Sequence, residues 1–306
     1  MLALSIAALA AVLVPLTIPG PHGDIAGTFV DAGKRTPIVL IIPGSGPTDR
    51  DGNNPLGVTA APYRLLAEAL ASKEVSTLRA DKRGMFGSKA AIPDANAVTI
   101  GDYAADAHNW AEALRKRTGA QCVWLLGHSE GGLVALTAGQ QPEGICGLIL
   151  VSTPGRKMSD LIREQLRANP ANAPVLDPAL KAIDSLEHGQ RVDVTGMHPA
   201  LQGLFSPRIQ PYLIDMFQRD PAKLAAGLRL PVLILQGESD VQVSTTDAKA
   251  LASAQPKANL VLVPHMNHVL KDVENDDRAS NLATYADPSL PIDPQLVDAI
   301  AGFVKG

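Results

Sequence analysis

Short runs of apolar residues alternate along the chain with longer stretches of helical spacing. PIVLII (37–42), VSTLRA (75–80), CVWLLG (122–127), CGLILV (146–151), PVLILQ (231–236) and NLVLVP (259–264) are apolar at successive positions, as strands buried on both faces of a parallel sheet must be. Between them YRLLAEALAS, YAADAHNWAEALRKR, GLVALTAGQ and DAKALASA read as amphipathic helices, with Thr99 and Asp102 spaced as a capping box ahead of the second. This alternation predicts an α/β fold, a doubly wound and mostly parallel sheet. The rhythm fails from about Pro154 to Leu230, where helical patches and Pro-rich turns contain no convincing core strand. The interval 154–230 reads as a helical cap inserted after the sixth sheet strand, between core segments 16–153 and 231–306.

Composition narrows the classes open to such a fold. With 306 residues and 46% hydrophobic content, the chain buries a sizeable core, and disorder is excluded. A net charge of −4 and an aromatic content of 4% leave no basic stripe or stacking platform for nucleic acid. Two cysteines, Cys122 and Cys146, exclude a disulfide-rich scaffold and form no metal-binding spacing. Residues 1–15 carry an apolar run from Leu2 to Val14 with ALA at 8–10 but no Lys or Arg ahead of it. Two readings stand for it, a secretion signal and a hydrophobic helix or strand packed on the core. They leave export and a cytoplasmic location both open. Pro15 makes the run too short to span a bilayer.

The chemistry centres on one corner. Gly127-His128-Ser129-Glu130-Gly131 fits G-x-S-x-G and lies between a buried strand and the start of a helix, which is where that pattern places a nucleophile. A serine on so tight a turn takes a strained backbone conformation, and its neighbours two positions away must lack colliding side chains. Its hydroxyl then stands above the carboxyl edge of the sheet, with the backbone N–H of Glu130 at a helix N-terminus, where negative charge is stabilised.

A nucleophilic serine needs a base, and the base an orienting carboxylate. PVLILQ runs into GESDVQV, placing Asp240 in a loop at the same edge; Glu238 lies nearer the strand end and Asp247 falls in the next helix. NLVLVP runs into PHMNHVLK, which offers His265 and His268. His268 has the loop length to turn inward, whereas His265 follows the strand-ending proline and is expected beside the strand or in solvent. Of the seven histidines none would stand out alone; the order Ser129, Asp240, His268, each beyond a strand end, singles this one out. A second oxyanion donor is expected in PGSGPTDRDGNNP (43–55), at the N–H of Ser45, with Gly46 as its alternative. That loop has neither the third glycine of a dinucleotide site nor a Gly-Lys-Ser/Thr phosphate loop. Asp49, Arg50 and Asp51 read as charges that brace it by mutual pairing.

Five motifs in order, PGSGPTDRDG, DKRGMFGS (81–88), GHSEGG, GESD and NHVLK, resemble those of the α/β-hydrolase superfamily, specifically its capped bacterial serine esterases (carboxylesterase-like). The similarity runs from about Leu16 to the C-terminal helix, the cap excepted. Pro43 stands where many lipases carry histidine. The resemblance implies an acyl-enzyme on the serine, hydrolysed by histidine-activated water, with no metal or organic cofactor and a small-molecule ester as substrate. It also implies that Asp81 and Arg83 brace the turn after the fourth strand. In the usual strand order of that superfamily the strands begun by Cys122 and Cys146 are neighbours, which sets the two cysteines level at the edge away from Ser129, as a disulfide or as two buried thiols.

The interval 154–230 carries Met197, Leu201, Leu204, Phe205, Tyr212, Leu213, Met216 and Phe217. They either pack cap on core or line an acyl pocket, with Phe205 and Phe217 the candidate substrate contacts. No acidic cluster is present to hold a substrate ammonium, which argues against an aminopeptidase. Short to medium acyl esters fit best. A serine peptidase, an acyltransferase and an inactive ligand-binding scaffold are the alternatives.

Overall fold

The computed structural model describes residues 11–273 and 277–306. The strands are β1 (Val12–Pro19), β2 (Asp24–Asp31), β3 (Ile38–Ile42), β4 (Ser76–Ala80), β5 (Val123–His128), β6 (Ile145–Val151), β7 (Val232–Gly237) and β8 (Asn259–Val263). They form one sheet in the order β1-β2-β4-β3-β5-β6-β7-β8. From β4 to β8 every neighbouring pair is parallel, whereas β1 with β2 and β2 with β4 are antiparallel. The six predicted strands are all present, and β1 and β2 extend the sheet at one side. The expected α/β class holds.

Eleven helices are described: α1 (Pro62–Ser72), α2 (Ile100–Thr118), α3 (Glu130–Ala138), α4 (Met158–Ala168), α5 (Leu176–Glu187), α6 (Pro199–Leu204), α7 (Gln210–Phe217), α8 (Pro221–Ala226), α9 (Thr245–Ala254), α10 (Arg278–Ala283) and α11 (Pro294–Lys305). The Thr99–Asp102 capping box opens α2 as its spacing predicts. Strand residues alternate between two cores. Leu40 and Ile42 face α2 and α3, while Val39 and Ile41 face α1 and α11, as the two-residue period of a strand dictates. Among the described residues no helix is long and apolar enough to cross a membrane.

Residues 12–15, read with the apolar N-terminal run, belong to strand β1, paired residue by residue with β2 from Val12 opposite Asp31 to Pro19 opposite Asp24. Residues 1–10 lie outside the described residues. The two prolines of β1 are tolerated because it is an edge strand, where one side of the backbone needs no ladder partner.

The interval from Pro154 to Leu230 contains α4 to α8 and no strand. Arg156 ties its start to α9 through Asp247, and Asp215 of α7 accepts from the Ile100 N–H at 2.8 Å, at the start of α2. Cys122 and Cys146 are joined by a disulfide, with Cα atoms 5.1 Å apart, at the ends of β5 and β6 remote from Ser129.

Candidate active site

Strand β5 delivers Ser129 in the corner the pattern predicts. Its backbone stands at φ 55° and ψ −123°, a conformation that costs about 1–3 kcal/mol for a side-chain-bearing residue and persists only where its surroundings impose it. They do: the Ser129 N–H donates to the Val151 carbonyl at 2.9 Å, and the Ser129 carbonyl accepts from Gly132 at 2.9 Å. A methyl group at Gly127 would stand 2.2 Å from the Gly131 oxygen, and one at Gly131 would stand 2.3 Å from the Ile42 oxygen of β3. Both glycines are therefore required by contact.

Asp240 and His268 meet as expected. His268 Nδ1 lies 2.8 Å from Asp240 Oδ2, while Asp240 Oδ1 accepts from the N–H groups of Gln242 at 2.8 Å and Val243 at 3.0 Å. Burial pushes the Asp240 carboxyl up, but His268 and these two N–H groups prevail and hold it below the ordinary carboxylate range. An ionised Asp240 fixes Nδ1 as the protonated nitrogen and leaves Nε2 as an acceptor. The alternatives separate cleanly. Glu238 and His265 are exposed, and Asp247 caps α9 and holds Arg156.

Sequence reasoning missed the group that joins these loops. Among the described residues the Ser129 hydroxyl makes no hydrogen bond with His268; the residue before it, His128, makes the connection. The His128 and His268 rings lie 4.7 Å apart, and His128 Nε2 lies 2.9 Å from the His268 carbonyl. That carbonyl accepts only, so Nε2 carries the proton and Nδ1 accepts from the Tyr63 hydroxyl at 2.8 Å. The Tyr63 oxygen in turn accepts from the Gly44 N–H at 3.0 Å. One chain of donors thus runs from the loop after β3 through α1 to the corner and on to the histidine loop. Burial is the main reason, with the neighbouring His268 adding to it, that His128 is pushed down to about 3. It stays neutral. Only the fold brings Tyr63 to His128, and no spacing in the chain announces it.

The loop after β3, which carries the candidate oxyanion donors, is held from the end of β4 and the turn that follows it. Gly44 spends its N–H on Tyr63, and Ser45 and Gly46 follow it as the candidate donors of this loop. Lys82 Nζ donates to the Gly44 carbonyl at 2.5 Å and the Gly46 carbonyl at 3.3 Å, and stands 3.5 Å from the Glu130 carboxylate. The expected mutual pairing of Asp49, Arg50 and Asp51 is corrected. Arg50 pairs with Asp81 and Asp51 with Arg79, while Asp49 accepts from the N–H groups of Asp51 and Asn53 at 2.8 Å. Adjacent residues on a tight turn point apart, and the end of β4 supplies the partners instead. Asp81 also accepts from Gly87 within its own turn, and Arg83 reaches Asp102 and Asp106 on α2.

Phe205 and Phe217 are both 0% exposed and sit in the main hydrophobic cluster. Phe205, at the end of α6, and Phe217 of α7 are covered by their apolar neighbours and present no exposed surface in this structure. Tyr212 of α7 packs against Tyr103 of α2 with ring centroids 6.4 Å apart. Burial first, and then the nearby Glu130 carboxylate, push its phenol well up.

A family model described as serine aminopeptidase, S33 matches residues 56–275. The chain is 25% identical over 264 residues to the esterase EstD of Thermotoga maritima, covering 83% of this chain and 59% of that one. It thus spans about three fifths of the length of this curated relative. Among solved structures it is similar to a thermophilic esterase from Thermogutta terrifontis, with a TM-score of 0.58, 22% identity and coverage of 96% and 98%. It is also similar to the Pyrococcus furiosus esterase Pf2001, with a TM-score of 0.57, 14% identity and coverage of 96% and 92%. A bromoperoxidase from Bacillus anthracis follows at a TM-score of 0.56, 17% identity and coverage of 96% and 100%. These structures share the fold with this chain.

Proposed function

This chain belongs to the hydrolase family described as serine aminopeptidase, S33, and from that premise we propose that it hydrolyses small carboxylic esters through an acyl-enzyme on Ser129. The observation that carries the reading is the 2.8 Å bond from His268 Nδ1 to Asp240, set at the same sheet edge as the strained Ser129. In this reading His268 Nε2 takes the hydroxyl proton as Ser129 attacks the ester carbonyl, and then gives it to the departing alkoxide. Water activated by the same nitrogen splits the acyl-enzyme. Asp240 keeps the ring in its working tautomer and stabilises the imidazolium. The N–H groups of Ser45 and Glu130 receive the oxyanion, where such donors are worth about 10²–10³ in kcat each.

The interval 154–230 is the proposed helical cap, and 16–153 with 231–306 the proposed core. The apolar side chains that would build a long groove in the cap, Leu213, Met216 and Phe217 among them, are spent on packing, which supports acyl groups of short to medium length. The family description names an aminopeptidase, but Glu130 is committed to Lys82 and offers no free carboxylate for a substrate ammonium. The disulfide, rare in reducing compartments, supports an exported protein. The test is a graded panel of p-nitrophenyl esters with aminoacyl nitroanilides and thioesters alongside, on wild type and Ser129→Ala. Ester turnover falling on the order of 10⁶-fold in the variant is expected; a variant retaining a tenth of wild-type kcat removes Ser129 from the mechanism.

A further inference from the structure

Lys82 is nearly buried, its side chain 6% exposed, and so is its partner Glu130, at 3%. The two arginines that flank this part of the chain make ordinary ion pairs, Arg79 with Asp51 and Arg83 with Asp106. Lys82 does something different. Its three donors are divided between two backbone carbonyls of the loop after β3 and the carboxylate of the residue that follows Ser129, and its ammonium lies over the Tyr103 ring at 5.4 Å.

We propose that Lys82 is a positioning residue for the oxyanion hole, acting by fixing the orientation of the Ser45 amide; the proposal rests on the esterase reading above. The Gly44 carbonyl and the Ser45 N–H belong to one planar trans peptide and point in opposite directions. An ammonium that holds the oxygen on one side therefore turns the N–H to the other. The Gly44 N–H is fixed as well, on the Tyr63 hydroxyl, so the Gly44 unit is pinned at both ends. It is also in the right place, since a methyl group on Gly44 would stand 3.2 Å from the Ser129 Cβ.

The third donor links the second half of the hole. Glu130 contributes its backbone N–H to the oxyanion and its carboxylate to Lys82, so one ammonium sets the Ser45 and Glu130 donors relative to each other. It also offsets the Glu130 charge. A buried, unpaired carboxylate one residue from the nucleophile would oppose the oxyanion that forms there. Burial lowers the Lys82 ammonium below its ordinary range, and the Glu130 carboxylate opposes that shift.

The experiment is Lys82→Met in the full chain, with Lys82→Gln read in the same way should the first not fold, and Ser129→Ala as reference. Steady-state kinetics on a short-chain p-nitrophenyl ester are measured with binding of a trifluoromethyl ketone, which forms the tetrahedral adduct. Folding is checked by urea unfolding. A misplaced oxyanion donor predicts a loss of about 100-fold in kcat with KM unchanged within about threefold, and an equal loss in affinity for the ketone. A folded variant with kcat within threefold of wild type overturns the proposal. So does a variant whose loss is all in KM with ketone binding intact. Either result leaves the esterase reading standing while Ser129→Ala is inactive; an active Ser129→Ala brings down both.

Discussion

Acid should destabilise this protein through one histidine that takes no part in proton transfer. His128 is buried, its Nε2–H is spent on the His268 carbonyl and its Nδ1 accepts from Tyr63. Protonating Nδ1 would set two donors against each other and place a charge in the interior. The ring titrates near 6.5 when unfolded and near 3 when folded, a difference of ~3.5 units, or about 5 kcal/mol at 1.36 kcal/mol per unit. The folded value is the lower one, so between the two the unfolded chain carries the extra proton and stability rises with pH. The contribution is complete above about pH 6.5 and gone below about pH 3; by pH 4 roughly 2.5 of the units, about 3 kcal/mol, have been lost. Urea unfolding at pH 7, 5.5 and 4, without reductant, measures this directly. His128→Gln is neutral throughout, so its stability should fall by about 3 kcal/mol less than that of wild type from pH 7 to pH 4. The comparison is of slopes, so any constant cost of the substitution cancels. Parallel wild-type and variant curves, within 1 kcal/mol, would refute the reasoning.

His268→Ala should be nearly as damaging to kcat as Ser129→Ala, and the double variant little worse than either, because nucleophile and base act as a unit; His265→Ala should cost less than about tenfold, since its side chain is exposed and outside the unit. Steady-state kinetics on one ester decide the ranking, and an inactive His265→Ala beside an active His268→Ala would reverse the assignment. Phe205→Ala should lower stability by about 3–5 kcal/mol through the cavity it leaves while the order of preference across an acyl-chain series stays unchanged, as urea unfolding and relative kcat/KM would show.

How much of this was legible in the chain depended on where each constraint resides. Strands β3 to β7 announced themselves because burial on two sides demands uninterrupted apolar runs, and the half-buried edge strand β8 was legible from the same kind of run. Strand β1 did not, since Pro15 and Pro19 read as breaks, and an edge position excuses them only once the sheet is known. Strand β2 has polar ends and Gly27, where a methyl group would come within 3.0 Å of the Trp110 ring; small residues kept for a neighbour look like weak strand sequence. Ser129, Asp240 and His268 could be read because chain order and strand ends restrict such a set. Tyr63, His128 and Lys82 could not, because their partners are backbone groups or side chains distant in the chain. Asp49 to Asp51 misled because neighbouring opposite charges suggest a pair that the turn geometry prevents.

The disulfide has a topological consequence. Its two cysteines are 24 positions apart, and the stretch between them holds all of β5, the Ser129 corner and α3. The element that presents the serine is thus a covalent ring within the chain, threaded into the middle of the sheet. In the chain-entropy account a closed loop of this size restricts the unfolded state by about 3.5 kcal/mol. A protease that cut once anywhere inside the ring would sever the backbone without releasing a fragment: the strand, the corner and the helix would stay tethered to both halves of the molecule, and only reduction would let them part.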